Sequence, residues 1–286
     1  MGAHPPRLAV TVALTVRLPD DYHELLIAEL ADLGFDAFER EEGAVVAYGP
    51  VAVWTGVARE AVADWLRARG LDEAVEEEAI PATNWNARWE ATIEPIPVGR
   101  FVVAPTWAPI PGAYADRVPL RIDPKMSFGT GYHESTRLAL RFTPGLVRSR
   151  ARVLDAGTGT GILAIAALRL GAAEAVAFDI DPWAVENATE NAALNGVADR
   201  IELREGGLEV VPEAGFDLAF ANINRNVLEA MLPDLAAKLA AGGRLVLAGL
   251  LRTDRDGMLA AVEAAGLALY DEATENEWWA CVVEKG

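Results

Sequence analysis

The sequence predicts an α/β protein in which a small ferredoxin-like α+β domain precedes a doubly wound domain with a seven-stranded sheet. Three observations support this fold class. The first 80 residues follow the order strand, helix, strand, strand, helix, strand. From Arg152 onward, short apolar strands alternate with helices, as in a parallel sheet covered on both faces. A glycine-rich turn joins the first strand and the first helix of this second part.

Hydrophobic spacing and turn residues define each element of the first part. Apolar residues at helical spacing indicate helices, and short β-rich runs between turn residues indicate strands. Gly34 and Gly70 end the two helices, because glycine commonly follows the last helical turn. The predicted elements are strands over 8–16, 35–40, 44–48 and 72–80 and helices over 20–33 and 59–69.

A tryptophan-rich segment follows and divides the chain. Residues 83–90 read Thr-Asn-Trp-Asn-Ala-Arg-Trp-Glu, and Pro95, Pro97 and Gly99 break any helix that they begin. We therefore expect a first domain over residues 1–80, a connector over 81–100 and a second domain over 101–286.

The second domain begins with strands at 101–104 and 118–122 and then follows the alternating pattern. Its predicted strands are 153–155, 175–179, 201–204, 216–222, 244–250, 268–270 and 277–284, and its predicted helices are 162–170, 182–195, 226–240 and 254–265. The last strand is expected to pair as an antiparallel hairpin partner.

Composition narrows the classes of function. The net charge is −18, from 43 acidic and 25 basic side chains, which argues against broad nucleic-acid binding and is compatible with a basic protein partner. No apolar run is long enough to span a bilayer. Cys281 is the only cysteine, so no internal disulfide forms, and a cytoplasmic location is expected.

The glycine loop Asp155-Ala-Gly157-Thr-Gly159-Thr-Gly161 is the strongest local signal. Glycines let the backbone approach a ligand closely, and the helix that follows offers free N–H groups. A dinucleotide fingerprint would place glycine or alanine at the third position, where this chain has Ile162. Asp155, at the end of the strand, suits the ammonium group of a methionine moiety better than a pyrophosphate. The loop thus favours S-adenosylmethionine over NAD.

A second acidic residue follows at the tip of the next strand. Asp179 lies 22 residues beyond Gly157, the spacing at which a carboxylate accepts hydrogen bonds from a ribose hydroxyl pair. Asp181, followed by Pro182, is expected to be a helix N-cap instead. Asn187, Asn191 and Asn195 of the following helix are interpreted as a surface face and a C-cap.

A longer motif, over residues 123–136, indicates a particular protein family. Residues 123–136 read Asp-Pro-Lys-Met-Ser-Phe-Gly-Thr-Gly-Tyr-His-Glu-Ser-Thr. Together with the glycine loop, Asp179-Ile-Asp-Pro and Asn222-Ile223, this motif resembles the PrmA family of class I methyltransferases. That family methylates protein eleven of the large ribosomal subunit. The resemblance extends from about Asn84 to the end of the chain.

The resemblance implies a role for each matching residue. The residues implied to bind S-adenosylmethionine are Thr136, Gly157, Asp179 and Asn222, with Phe128, Gly129, Thr130 and Gly131 as a loop over the cofactor; Asp155 and Gly159 join them from the glycine loop. Asn222 would also lie beside the incoming amine as the catalytic residue. Residues 1–80 would be the substrate-recognition domain, and 101–286 the methyltransferase domain.

The resemblance implies direct methyl transfer to lysine and N-terminal amines of a large-subunit ribosomal protein. Asn222 would accept a hydrogen bond from the amine, and no metal is expected because a sulfonium is already a strong leaving group. His133 is interpreted mainly as a residue that holds its loop, and Trp278-Trp279 as packing for the last strand. Three alternatives remain: a methyltransferase for a small molecule or another macromolecule, a dinucleotide-dependent oxidoreductase, and a binding module without catalysis.

Overall fold

The structure, a computed structural model of the chain, describes residues 11–35, 37–71, 74–80, 93–125 and 127–286. The chain divides into two compact units, Met1–Arg88 and Trp89–Gly286. Most of the predicted connector, residues 81–92, lies outside the described residues, so the domain boundaries at 80 and 100 stay predictions. Within the described ranges, no helix is long and apolar enough to cross a membrane.

The first unit has the predicted order of elements. They are β1 (Thr11–Arg17), α1 (His23–Asp32), β2 (Ala37–Glu41), β3 (Ala44–Pro50), α2 (Gly56–Arg67) and β4 (Val75–Ile80). The sheet is antiparallel with strand order β2-β3-β1-β4. Its core forms between alternate residues of the sheet, such as Leu14 and Val45, and apolar residues of the helices, such as Leu26 and Val62. This is the ferredoxin-like α+β domain that the sequence predicts.

The second unit begins with a small three-stranded sheet. It contains β5 (Ile96–Val98), β6 (Phe101–Ala104) and β7 (Val118–Arg121), with β6 in the middle. The sequence predicted β6 and β7 but not β5. Pro97 lies inside β5, and a proline is tolerated there because β5 is an edge strand, whose outer side needs no N–H donor.

A seven-stranded sheet forms the centre of the second unit. Its strands are β8 (Arg152–Ala156), β9 (Glu174–Asp179), β10 (Ile201–Glu205), β11 (Phe216–Asn222), β12 (Leu239–Leu251), β13 (Leu267–Glu275) and β14 (Trp278–Lys285). The strand order is β10-β9-β8-β11-β12-β14-β13, and β14 is antiparallel to both neighbours. The strand order reverses direction between β8 and β11, which is where ligands bind in open α/β sheets. The predicted doubly wound sheet and its antiparallel last strand are confirmed.

Helices cover both faces of this sheet. They are α3 (Glu134–Leu146), α4 (Ile162–Arg169), α5 (Pro182–Leu194), α6 (Arg225–Lys238) and α7 (Arg255–Ala264). Residues of α3 and α4 share one apolar core with the sheet, and residues of α6 and α7 share the other. Alternation along β8 explains this division, because Val153 belongs to the first core and its neighbour Leu154 to the second.

The sequence pattern predicts no element over the residues of α3. Leu138, Ala139 and Leu140 are buried in this helix, and His133 is its N-cap. Pro144 in its last turn interrupts the helical pattern of the sequence. The omission matters because the N-terminal turn of α3 reaches the functional site.

The predicted surface role of the three asparagines in α5 is wrong. Asn187, Asn191 and Asn195 are at most 4% exposed, although Asn195 does occupy the C-cap position. Asn195 exchanges two hydrogen bonds with the backbone of Arg121, and Asn191 accepts one from the N–H of Asp123. The side chains thus pair with the open edge of β7 and the residues after it, where backbone groups need partners.

Candidate active site

A cavity of about 450 Å³ lies at the carboxyl ends of β8, β9 and β11, at the point where the strand order reverses. This volume falls in the range of small-molecule sites, about 300–1,000 Å³. Of the residues predicted to bind the cofactor, Phe128, Gly157, Gly159, Asp179 and Asn222 line it. The other lining residues are His133, Ser135, Phe178, Ile180, Gly207, Ile223, Asn224, Val227, Met231, Gly249 and Trp278.

The glycine loop forms the floor of the cavity. Gly157 and Gly159 have φ angles of 69° and 53°, which side chains rarely adopt. A Cβ atom on Gly157 would lie 2.4 Å from the side chain of Ile223, and one on Gly159 would lie 2.3 Å from the carbonyl oxygen of Phe128. Only glycine therefore lets this turn lie against both neighbouring segments and leave the cavity open.

Asp155 lies beneath the loop and not among the residues that line the cavity. Its Oδ2 accepts hydrogen bonds from the Thr158 hydroxyl at 2.8 Å and from the Ala164 N–H at 3.1 Å. Burial raises the pKa of this carboxyl to about 6; the two hydrogen bonds lower it and the nearby charge of Asp179 raises it further. These contacts favour a role in holding the loop. Direct contact with an ammonium group stays a prediction.

Asp179 projects from the tip of β9 into the cavity wall. Its Oδ2 accepts a hydrogen bond from the N–H of Gly159 at 2.9 Å, and its Oδ1 accepts one from the N–H of Asp181 at 3.1 Å. Asp181 is the N-cap of α5, where its side chain accepts from the N–H of Trp183, and Pro182 follows at N1. This geometry is consistent with the prediction that Asp179 faces the ligand and Asp181 caps the helix.

Asn222 ends β11 and is 9% exposed. Its Nδ2 donates a hydrogen bond to the hydroxyl of Thr136 at 3.2 Å. Its Oδ1 is buried and has no hydrogen-bond partner among the described residues. Because an unpaired buried oxygen is costly, this acceptor in the wall of the cavity indicates a place for a donor from a ligand. Thr136, fully buried in α3, orients the amide and does not line the cavity.

The segment 128–131 is held against the glycine loop by Thr160. The N–H of Thr160 donates to the carbonyl of Phe128 at 2.9 Å, and its hydroxyl donates to the carbonyl of Gly129 at 2.5 Å. Gly131 packs on Val103, which a Cβ atom would approach to 2.9 Å. Of this predicted cofactor loop, only Phe128 lines the cavity, whereas Gly129, Thr130 and Gly131 do not.

Two aromatic contacts close one side of the cavity. His133 packs on Phe128 with ring centroids 5.2 Å apart and edge-on against Trp278 at 4.4 Å. The Nδ1 of His133 accepts a hydrogen bond from the N–H of Ser135, which makes it the N-cap of α3. His133 thus holds its loop, as interpreted from the sequence. Trp279 is buried in the core, whereas Trp278 lines the cavity, so the tryptophan pair has two roles.

The structure also contains a larger groove, of about 870 Å³, along α6. It shares Gly207, Val227 and Met231 with the cavity but contains none of the glycine loop, Asp179 or Asn222. The convergent polar groups therefore identify the smaller cavity as the candidate active site. Arg225, near Asn222 in sequence, lines neither space; it forms ion pairs with Glu229 and Asp254. In the described ranges no three potential metal ligands converge.

The residues present fit S-adenosylmethionine. The glycine turn leaves room that a Cβ atom would fill, and Asp179 offers carboxylate oxygens at the tip of β9. Asn222, at the tip of β11, offers an oxygen that no other described residue pairs with. With the sheet order and the antiparallel β14, this site defines the chain as a class I methyltransferase that uses S-adenosylmethionine.

Comparison with known proteins identifies the family. Residues 39–286 match the family model described as ribosomal protein L11 methyltransferase (PrmA). The chain is 35% identical to the ribosomal protein L11 methyltransferase of Chlorobaculum parvum, over 98% of each chain. It is 38% identical to that of Porphyromonas gingivalis, over 90% of this chain and 88% of the relative. The chain therefore belongs to the ribosomal protein L11 methyltransferase family.

A solved structure supports the same conclusion. The ribosomal protein L11 methylase from Lactobacillus delbrueckii subsp. bulgaricus superposes with a TM-score of 0.63 at 29% identity. The match covers 68% of this chain and all of the other one. The resemblance predicted from the motif over 123–136 is thus confirmed.

Proposed function

We propose that this chain transfers methyl groups from S-adenosylmethionine to lysine and N-terminal amines of ribosomal protein L11. Membership of the family supports the substrate, because relatives aligned over nearly the whole chain bear that name. One observation in the site carries the proposal: Asn222, which lines the cavity, has a buried oxygen with no partner in the part of the chain that the structure describes. An amine N–H is a donor that this oxygen can accept.

The proposed cofactor contacts follow the cavity wall. Asp179 would accept hydrogen bonds from the ribose hydroxyls, and Gly157 and Gly159 would leave room beside the loop for the rest of the molecule. Phe128 would cover it, supported by Gly129, Thr130 and Gly131. When bound, S-adenosylmethionine supplies a methyl group on a sulfonium, which is already a good leaving group.

The acceptor amine must present a lone pair. A lysine has an ordinary pKa of about 10.4, so freeing its proton at pH 7 costs roughly 4–5 kcal/mol. The rings of Phe128, His133 and Trp278 line that side of the cavity. An amine that loses water there has a lower pKa, because desolvation disfavours its cation. Oδ1 of Asn222 then accepts one N–H and aims the lone pair, and water takes the proton. Thr136 keeps the amide in the required orientation.

We further propose that residues 1–80 recognise the ribosomal protein. This unit has its own apolar core, and the net charge of −18 of the chain suits a basic partner. The reaction would take place in the cytoplasm, where ribosomal proteins are made. No role in direct nucleic-acid binding is proposed for a chain with net charge −18.

A transfer assay tests this function. The protein is incubated with methyl-labelled S-adenosylmethionine and the unmethylated proteins of a large ribosomal subunit, which are then separated. We expect the label in L11 alone. Label in another protein, or in none, would contradict the proposed substrate. Asn222→Ala serves as the control that ties the label to this site, and it should transfer little label.

A further inference from the structure

A group of ion pairs joins the start of α3 to the turn between β13 and β14. We call it the hairpin clasp; it consists of Glu134, Arg137, Arg141, Glu275 and Asn276. Oε1 of Glu275 accepts from Nε of Arg137 at 2.8 Å and lies 2.6 Å from its Nη2. Nη2 of Arg141 lies 2.9 Å from the other oxygen. Oε1 of Glu134 accepts from the Asn276 amide at 3.1 Å.

The clasp is better shielded than an ordinary surface ion pair. The side chains of Arg137 and Glu275 are each 20% exposed, and Glu134 is 26% exposed. Oε2 of Glu275 is itself buried and depends on Arg141 for compensation of its charge. Partial burial strengthens the attraction and makes loss of one member expensive, so the clasp fixes a geometry.

The clasp connects two walls of the active site. On one side, the first turn of α3 carries Ser135, which lines the cavity, and Thr136, which orients Asn222. On the other side, the turn leads directly into Trp278, whose ring packs on His133. Arg137 also donates from its Nη1 to the carbonyl of Tyr132, just before His133.

We propose that Glu275 is a positioning residue for methyl transfer. It holds the Trp278 wall at a fixed separation from α3, and through Thr136 it keeps the amide of Asn222 aimed at the acceptor amine. The cofactor contacts proposed for Asp179 and the glycine loop come from β8 and β9 and do not pass through the clasp. This inference rests on the proposed function, because it assigns the clasp to the acceptor side of that reaction.

The test compares Glu275→Gln with the wild-type chain. Glutamine keeps the shape of the side chain but removes the carboxylate that Arg137 and Arg141 share. Among the described residues, Arg137 then keeps only Glu134 as a counter-charge, at 3.3 Å. We expect kcat for methylation of L11 to fall about tenfold or more, because small displacements of reacting groups have large effects on rate. The Kd for S-adenosylmethionine, measured by calorimetry, should change much less than kcat, because Asp179 and the glycine loop keep their contacts. Phe128 is linked to the clasp only indirectly, through His133. A purely structural role would instead weaken binding and rate together.

Two further variants complete the design. Glu277→Gln removes an exposed charge in the same turn and should leave kcat unchanged. Arg137→Lys keeps the charge but loses the two-nitrogen contact with Glu275, so kcat should fall while the Kd for the cofactor is preserved. This variant tests the role of the clasp if Glu275→Gln does not fold. Wild-type kcat in Glu275→Gln, or a loss of cofactor binding as large as the loss of rate, would overturn the proposed positioning role of Glu275. If the wild-type chain does not methylate L11, the proposed function fails instead.

Discussion

Two carboxylates lie within reach of the glycine loop, and their surroundings give them different tasks. Asp155 is 1% exposed, and its carboxylate accepts hydrogen bonds from the Thr158 hydroxyl and from the N–H of Ala164 in α4. Asp179 lines the cavity and accepts from the loop only through the N–H of Gly159. The sequence identified both acids as candidates, but it could not separate them, because their difference depends on which side of the loop each carboxylate faces.

Replacing Asp179 with alanine should weaken cofactor binding. Hydrogen bonds to a charged acceptor contribute about 2 kcal/mol, so we expect the Kd for S-adenosylmethionine to rise roughly 30-fold. Calorimetric titration measures this Kd directly. Asp181→Ala is the matched control: it removes an N-cap and should cost about 1 kcal/mol of stability while cofactor affinity stays close to wild type. Equal losses of affinity in both variants would contradict the ribose role of Asp179.

The buried Asp155 predicts a specific dependence of stability on pH. Its pKa is raised to about 6 in the folded chain from an ordinary 3.8, so the folded state binds the proton more tightly than the unfolded state. The contribution of this group to stability is therefore present below pH 3.8 and is lost as the pH rises through 6.

Asp155→Asn has no such titration. The free energy of unfolding of wild type minus that of Asp155→Asn should therefore decrease as pH rises across this interval, and denaturant unfolding at several pH values measures it. A difference that stays constant, or increases with pH, would show that folding does not raise the pKa of the Asp155 carboxyl.

At the scale of elements, the asparagines of α5 form a connection that the sequence did not reveal. Asn191 donates to the carbonyl of Thr160 at 3.0 Å and accepts from the N–H of Asp123 at 2.9 Å. It thus joins the glycine loop to the segment that leads into residues 128–131. Asparagines at helical spacing are ambiguous in a sequence, because the same pattern fits a solvated face and a ladder of buried amides.

Asn191→Ala should destabilise the fold by about 2–3 kcal/mol, because buried backbone groups of two segments lose their partner. Chemical denaturation of the variant measures this loss. Thr189→Ala, in the same helix but on its exposed side, is the matched control and should change stability little. A small effect at Asn191 would mean that water replaces the amide without cost.

The helices and strands themselves were largely predictable. All seven strands of the central sheet follow apolar runs bounded by turn residues, and the glycine loop marks the turn between β8 and α4. Two elements were missed for a physical reason: β5 contains Pro97 and α3 contains Pro144, and in each case tertiary packing tolerates a residue that disfavours the element locally. Because Thr136 lies in α3, its action through Asn222 could not be predicted from the motif alone.

At the scale of the whole molecule, each of the two units has its own apolar core. A fragment comprising residues 89–286 should therefore bind S-adenosylmethionine with an affinity close to that of the full chain. The same fragment should lose most methylation of L11, because the proposed recognition domain is removed. Calorimetry and labelled transfer on one preparation measure both quantities. Full transfer by the fragment would assign recognition of L11 to the second unit.

The fold and the site together assign methylation of amines of ribosomal protein L11 to the cavity at the tips of β8, β9 and β11. Intact-mass spectrometry of unmethylated L11, before and after incubation with the chain and S-adenosylmethionine, tests it most directly. We predict that the mass of L11 increases by whole methyl increments located on lysine and N-terminal amines, and that Asn222→Ala abolishes the increase. An unchanged mass with the wild-type chain, or full methylation by Asn222→Ala, would contradict the claim.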